Sequence, residues 1–157
     1  MAVEKAEFRR ALGHFAAAVT VITTKLDSGD AAGITVTAFS SLSLDPPLVL
    51  ICIDHRAKLH AHLKVDGFFA VNILAEDQEV CSRRFASSEP NQFREIGYTE
   101  GVSGAPLIQG AIANLECRIT QALPGSDHTI FIGEVEATHV QEGKPLVYFR
   151  GGYAALK

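Results

Sequence analysis

The chain has 157 residues, of which 47% are hydrophobic and 20% charged, and its formal net charge at pH 7 is −4. A chain of this length can bury a sizeable apolar core without disulfides or a structural metal, so we expect one domain over residues 1–157. Sequence-independent binding of nucleic acid needs a clustered basic face. The Lys and Arg residues here are scattered, which argues against a nucleic-acid partner.

The N-terminal segment and the cysteines bear on the cellular compartment. Charged residues interrupt residues 1–15, and no later stretch approaches the roughly eighteen consecutive apolar residues of a membrane span. Cys52, Cys81 and Cys117 are odd in number and form no C-x-x-C pair, which predicts free, mostly buried thiols. We therefore expect a soluble, cytoplasmic protein without a membrane partner.

The first half of the chain is predicted to contain one helix and several strands. Apolar residues at helical spacing predict an amphipathic helix over residues 4–15. The β-branched run at 18–24 predicts a strand, with a turn at 27–30 and a return strand at 33–39. Residues 48–53 and 68–74 are further strand candidates, and residues 57–65 between them have helical spacing.

The second half adds one more helix and three more strands. A short helix is predicted over residues 77–86, followed by a long polar loop at 87–104 of the kind that often carries function. Alternating apolar residues predict strands at 111–123, 129–140 and 146–149. Strands outnumber helices, so the expected fold is mainly β: a closed antiparallel β-barrel with a few short helices at its ends.

Several common catalytic and nucleotide-binding motifs are absent from the sequence. There is no Rossmann G-x-G-x-x-G, P-loop, H-E-x-x-H or G-x-S-x-G pattern. Residues 126–128 read Ser-Asp-His, but neighbours on an extended segment point to opposite faces, which argues against a hydrolytic triad. His60 and His62 are two apart on a predicted helix, which favours a solvated helix face over a metal site.

Three stretches contain residues that suit a flavin nucleotide. Residues 33–47 crowd short hydroxyl side chains around a strand end, although alone they fit a Thr/Ser-rich edge strand with a proline turn somewhat better. Arg56 and Lys58 follow an apolar strand and suit a phosphate or simply solvent. His128 stands at the mouth of a strand in which Gly133 permits close backbone approach, although a lone histidine there is more often structural.

In this order and spacing, the stretches resemble the flavin reductase family that supplies two-component flavin-dependent monooxygenases. The resemblance covers nearly the whole chain and includes Arg84-Phe-Ala86, residues 127–135 and Phe149-Arg-Gly-Gly-Tyr153; each piece alone is weak, and their ordered set is what is specific. The other matching pieces are residues 8–16, 19–24, 33–47 and 70–74. The chain departs from the family pattern at Thr37, where Asn is frequent, and at Ser126, where Gly precedes Asp-His.

The resemblance implies a homodimeric, FMN-binding split β-barrel with the flavin near the subunit interface. It implies that the isoalloxazine ring meets Thr35, Val36, Thr37 and Ala38. It implies that the ribityl chain and phosphate meet Ser41, Cys52, Ile53, Asp54 and Lys58. Phe85 and Ala86 would lie near the phosphate or adenylate end, and Tyr153 would border the nicotinamide with His128, the candidate catalytic residue.

The expected function is therefore an NAD(P)H-dependent flavin reductase that passes hydride from NADH or NADPH to FMN or FAD. Reduced flavin would then diffuse to a partner monooxygenase. Backbone N–H groups around residues 35–38 would meet the negative charge that develops on the flavin, and His128 would position the nicotinamide. Two alternatives stay open: an FMN-binding module or electron carrier that oxidises no nicotinamide, and a structural barrel without a ligand.

Overall fold

A computed structural model describes residues 1–157 as a mainly β protein. Its two α-helices are α1 (Lys5–Leu12) and α2 (Glu79–Ala86), and a single 3₁₀-helix covers Lys58–His62. No helix in the chain has the length and apolarity needed to cross a membrane. The strands are β1 (Ala17–Ala18), β2 (Thr20–Lys25), β3 (Ala31–Val36), β4 (Phe39–Leu44), β5 (Pro47–Asp54), β6 (Phe68–Ile73), β7 (Tyr98–Glu100), β8 (Pro106–Ile108), β9 (Ala113–Gly125), β10 (His128–Val140), β11 (Val147–Phe149) and β12 (Gly152–Ala154).

Seven strands form one antiparallel sheet in the order β3-β2-β6-β9-β10-β5-β4. The two edge strands, β3 and β4, are consecutive in the chain and are joined by Thr37 and Ala38, but they are not hydrogen-bonded to each other. The expectation of a closed barrel is therefore wrong, whereas the split, antiparallel architecture is confirmed. The ladder stays open because the two-residue corner sends the chain to pair with β5, with Phe39 opposite Ile51, instead of back along β3.

The remaining strands are short and lie outside the main sheet. Strands β1, β11 and β12 form a three-stranded sheet, and β7 pairs with β8. The predicted long loop at 87–104 therefore contains a strand, β7. The sequence patterns also did not predict strands β4, β8 and β12, because each is short or has few β-branched residues.

The apolar core consists of a larger cluster inside the sheet, a smaller one beneath α2 and a third of only three residues, Ala70, Ala105 and Leu107. The larger cluster includes Ile51, Phe69 and Phe131, which are at most 2% exposed. The close backbone approach expected at Gly133 is made by core side chains: a Cβ there would lie 2.8 Å from the Phe69 ring and 2.9 Å from Cys117. Val19, Leu74 and Phe85 belong to the smaller cluster, which connects α2 to the strands.

Polar side chains inside the sheet are fully hydrogen-bonded. Asn72 is completely buried, and its amide donates to the Val21 carbonyl at 2.9 Å and to Thr23 Oγ1 at 3.0 Å. Its Oδ1 accepts from the Ile108 N–H at 2.9 Å and from Asn114 Nδ2 at 2.8 Å. A buried amide with all these partners fixes strand register without an unpaired polar group.

A second buried polar group, Glu116, anchors the loop that precedes β8. Ser103 donates its N–H and its hydroxyl to Glu116 Oε1, both at 3.0 Å, and His139 Nε2 lies 3.3 Å from Oε2. Burial alone raises the pKa of Glu116, but the hydrogen bonds from Ser103 and His139 outweigh it and hold that pKa below the ordinary carboxyl value.

The structure tests two predictions about individual side chains, one on the three cysteines and one on His60 and His62. All three cysteines are free, and Cys81 and Cys117 are buried, which confirms the prediction of free, mostly buried thiols. Burial raises the pKa of Cys81 to about 11 and of Cys117 to about 12. The side chains of His60 and His62 do point in different directions, but the prediction that they lie on a solvated helix face was wrong. His60 Nε2 lies 2.8 Å from Thr129 Oγ1 and its ring packs on Phe131, while His62 turns toward Asp27.

Candidate functional site at the split of the barrel

The corner between β3 and β4 exposes two free backbone donors. Thr37 and Ala38 are exposed and belong to neither strand. Their carbonyls are used, since the Phe39 N–H donates to Thr37 at 2.9 Å and the Cys52 N–H to Ala38 at 3.1 Å. Their own N–H groups donate to no acceptor in the protein. Unpaired N–H groups at an exposed corner suit an acceptor such as a flavin carbonyl or ring nitrogen.

The ends of β5 and β10 carry a cluster of charged groups. Asp54 Oδ1 accepts from the Arg56 N–H at 2.8 Å and from Nε at 3.1 Å, and Oδ2 accepts from Nη2 at 2.8 Å. These hydrogen bonds hold the pKa of Asp54 well below its ordinary value. Asp54 lies opposite His128 in the β5–β10 ladder. An ionised carboxylate only accepts, so Asp54 suits ribityl hydroxyls better than a phosphate.

Asp127 and His128 contact each other at this same end. His128 Nδ1 lies 2.8 Å from Asp127 Oδ1, and the hydrogen bond holds the pKa of Asp127 below its ordinary value. Since a carboxylate only accepts, Nδ1 carries the proton and Nε2 is left to face a ligand. The expectation that these neighbours diverge was wrong, because Ser126 has φ +62° and Asp127 lies in the turn before β10.

A cleft of about 930 Å³ opens between β3, the segment after β5 and the segment after α2. It brings together three of the predicted residues: Lys58, Phe85 and Ala86. Lys58 is exposed and forms no ion pair, so its ammonium is available to a phosphate. Phe85 is only 1% exposed and lies directly over Gly33, where a Cβ would be 2.8 Å from its ring. Phe85 therefore shapes the floor of the cleft.

The structure places the remaining predicted residues around these three features. Thr35 on β3 donates its hydroxyl to the Ser82 carbonyl at 2.6 Å, and Tyr153 OH lies 2.8 Å from Ser82 Oγ. Val36 accepts from Thr20 Oγ1 at 2.8 Å. Ser41 is exposed on the edge strand β4, and Cys52 is half-buried. The Ile53 side chain is completely buried in the core, so a ligand could meet only its backbone.

Sequence reasoning missed two residues that shape this site. Asp127 was passed over because Ser126 has a positive φ. A residue other than glycine rarely adopts that conformation, so the sequence did not indicate it. Ser82 was passed over because a serine in a short helix is ordinarily solvent-exposed. Its position beside Cys81 and three before Phe85 puts it on the apolar face of α2, and that was the available signal.

Comparison with known proteins identifies the family. The model of the flavin reductase like domain matches residues 12–157. The chain belongs to the flavin reductase family. This confirms the resemblance inferred from the sequence, and the match takes in every residue predicted for the site.

Proteins similar to this chain include a monooxygenase reductase component, a flavin reductase and a solved complex. The reductase component of 4-hydroxyphenylacetate 3-monooxygenase from Thermus thermophilus is 43% identical over 153 residues, covering 97% of each chain. An NADH-dependent flavin reductase from Rhodococcus sp. is 40% identical, covering 95% of this chain and 85% of that one. The NADH:FAD oxidoreductase of Streptomyces globisporus C-1027, solved with NAD and FAD fragments, superposes with a TM-score of 0.93 at 38% identity, covering 98% and 93%.

Proposed function

We propose that this flavin reductase family member is an NAD(P)H:flavin oxidoreductase that passes hydride from NADH or NADPH to FMN or FAD. The observation that carries the proposal is the pair of unpaired N–H groups on Thr37 and Ala38 at the split of the sheet. Family membership supplies the chemical context, and two of the relatives above are named for NADH-dependent flavin reduction.

The residues present fit a flavin nucleotide. The free N–H groups suit the acceptors of the isoalloxazine edge, and the unpaired ammonium of Lys58 suits a phosphate. The cleft of about 930 Å³ has room for a nucleotide, since ligand sites commonly measure roughly 300 to 1,000 Å³. A dinucleotide such as FAD and a mononucleotide such as FMN are both compatible with this volume.

In the proposed mechanism the protein supplies geometry and fixed charge. The flavin, when bound, would supply the ring that accepts the hydride from the nicotinamide. Thr37 and Ala38 would donate their N–H groups to the pyrimidine edge, where negative charge develops. Thr35 and Val36, whose hydrogen bonds to Ser82 and Thr20 hold β3 in place, would keep this edge rigid.

His128 would act on the nicotinamide side of the site. Its Nδ1 is engaged by Asp127, which fixes the ring orientation and leaves Nε2 as the contacting atom. Tyr153 would border the same side, held through Ser82. Holding two rings in reactive contact is the main contribution that such a site makes to the rate.

We further propose that the reduced flavin is released to a partner monooxygenase. Relatives named as monooxygenase reductase components support this step, since such a component must deliver its product elsewhere. A cytoplasmic location fits the free cysteines, because that compartment keeps thiols reduced.

A homodimer is also part of the proposal. Helix α1 contains no buried residue. Phe8 and Leu12 on the helix are 53% and 56% exposed, and Phe15, three residues beyond its end, is 79% exposed. Tyr148 and Phe149, each 39% exposed, add to the apolar surface. A second copy would cover such a surface. Light scattering should give twice the monomer mass, and Phe8→Ser with Leu12→Ser should shift the protein toward monomer. A wild-type monomer at micromolar concentration would contradict this part.

The activity itself is tested by a matrix of NADH or NADPH against FMN, FAD or riboflavin, followed at the nicotinamide absorbance. The purified protein should oxidise nicotinamide only when flavin is added. Tight flavin binding without nicotinamide oxidation would favour the electron-carrier alternative. Protein that neither binds flavin nor oxidises nicotinamide would leave only a structural barrel.

A further inference from the structure

A buried serine on α2 connects the two halves of the proposed site. Ser82 is completely buried, and its Oγ lies 2.8 Å from the hydroxyl of Tyr153 on β12. Its backbone carbonyl accepts the hydroxyl of Thr35 on β3 at 2.6 Å. One residue therefore contacts both the strand proposed to hold the isoalloxazine ring and the tyrosine proposed to border the nicotinamide.

The Ser82 hydroxyl is used in an uncommon way for a helix. Serine inside a helix usually faces solvent or bonds to a carbonyl of the preceding turn. Here its hydroxyl points away from the helix to a side chain 71 positions along the chain. The other buried residues of α2, Cys81 and Phe85, are apolar and pack in the smaller core cluster. Alanine at this position would pack equally well, so packing alone does not explain the serine.

Tyr153 is held by three contacts, two of which come from α2. The Arg83 guanidinium carbon lies 4.9 Å from the centre of the Tyr153 ring, and Ser82 binds its hydroxyl. The Tyr148 ring meets it edge to face, with centroids 5.5 Å apart. Arg83 is itself oriented by Glu79, which accepts from its Nη2 at 2.7 Å. The ring is half-buried, so it keeps a free surface for a ligand.

The position of α2 on β3 is itself fixed. Gly33 leaves no room between the helix and the strand, because any Cβ there would lie 2.8 Å from the Phe85 ring. The hydrogen bond from Thr35 sets the register of the helix along the strand. A displacement of α2 would therefore move Tyr153 relative to β3, and the reverse also holds.

We infer that Ser82 is a positioning residue for hydride transfer: through its hydroxyl it holds Tyr153 at a fixed place relative to the Thr35–Ala38 edge. The inference rests on the proposed flavin reductase activity. Ser82 contacts neither substrate and acts only through Tyr153.

The test is a double-mutant cycle of Ser82→Ala, Tyr153→Phe and the double variant. Tyr153→Phe removes the same hydrogen bond by changing its other partner, which is only half-buried. This variant therefore still tests the hydrogen bond if Ser82→Ala does not fold. Thr24→Val is the control, because it also removes one buried hydroxyl, bonded at 2.8 Å to the Phe68 carbonyl, but lies outside the site. For each protein we would measure the flavin Kd, the KM for NADH, the single-turnover rate of flavin reduction and the Tm.

Ser82→Ala should lower kcat/KM for NADH by about 3- to 10-fold, the equivalent of one net hydrogen bond, with flavin Kd nearly unchanged. The double variant should be no worse than Tyr153→Phe alone, because both substitutions remove one interaction. Thr24→Val should lower the Tm without changing KM or the reduction rate.

Three results would overturn the inference while leaving the proposed activity intact. These are additive losses in the double variant, a fall in Tm with unchanged kinetics in Ser82→Ala, and losses in Thr24→Val equal to those in Ser82→Ala. A wild-type protein that reduces no flavin under any condition of the nicotinamide–flavin matrix would instead overturn the proposed function, and the inference with it.

Discussion

Polar groups inside the main sheet are hydrogen-bonded, whereas several at the split, the gap between the unpaired edge strands β3 and β4, are not. Inside, Asn72 and Glu116 are buried, and each has its hydrogen-bonding atoms engaged by the protein. At the split, the N–H groups of Thr37 and Ala38 and the ammonium of Lys58 have no partner. The free donors between the edge strands therefore strengthen the case for a binding site beyond what the cleft alone offers.

The two regions should also differ in whether a mutation lowers stability or lowers binding and turnover. Interior residues touch many neighbours at native density, so their loss should mainly lower stability. Residues at the split are exposed, so their loss should mainly lower binding or turnover. The following predictions test this separation, beginning with the largest effect.

Phe69→Ala should be the most damaging substitution and should act on stability alone. Phe69 is completely buried and fills the space left by Gly133. Its removal should lower the free energy of unfolding by about 3 to 5 kcal/mol. Denaturant unfolding measures the loss, and Val102→Ala, at a residue that is 94% exposed, is the control. A loss below about 1 kcal/mol would contradict the division between interior and split.

His128→Ala should lower turnover with little effect on flavin affinity. If the ring contacts the nicotinamide, its loss should cost about 1 to 3 kcal/mol, or roughly a 5- to 150-fold fall in kcat/KM for NADH. Flavin Kd, Tm and single-turnover reduction should be measured on the same variant. A joint decline in Tm, flavin binding and turnover would mean that His128 is structural, and unchanged kinetics would remove it from the site.

Glu116→Gln should change how stability depends on pH. A folded pKa below the unfolded value means that Glu116 stabilises the protein above the unfolded pKa, about 4.3, and that this contribution is lost as the pH falls through the folded pKa. The variant should be about 1 to 2 kcal/mol less stable at pH 7 and should show a shallower decline on acidification. Glu142→Gln, at an exposed residue, should follow the wild-type curve. Parallel curves for Glu116→Gln and wild type would contradict the assigned pKa.

Lys58→Ala should give the smallest effect, confined to phosphorylated flavins. Loss of one exposed ammonium near a phosphate should weaken FMN binding by about 3- to 10-fold. Riboflavin, which has no phosphate, should be affected less. Lys64→Ala, which removes an exposed lysine outside the cleft, should change neither Kd. Equal losses for FMN and riboflavin would mean that Lys58 does not contact the phosphate.

The regular elements were predictable wherever local sequence agreed with tertiary structure. The β2–β3 hairpin follows from β-branched residues on either side of a Ser-Gly turn, and α2 from its apolar spacing. Strand β4 was not predictable, because its Ser-rich sequence resembles a turn and only pairing with β5 makes it a strand. The split was hidden for the same reason, since it depends on which strand β4 joins.

The sequence resemblance names candidate members of the site but not the contacts between them. It names Thr37 and Lys58, and the structure adds that the Thr37 N–H and the Lys58 ammonium have no partner in the protein. The contact between Asp127 and His128 depends on the backbone of Ser126, and the hydrogen bonds at Ser82 join segments far apart in the chain. Such long-range contacts are decided by packing, which local patterns do not encode.

The two-residue corner between β3 and β4 sets a limit on how far this protein could be stabilised by design. Pairing the edge strands to each other would lengthen the ladder and would make Thr37 and Ala38 the tip of a hairpin. The same change would close the gap at which their N–H groups would meet a flavin in the proposed site. Selection for greater thermostability alone should therefore favour variants that close the gap and lose their ligand, a trade-off located in a single dipeptide.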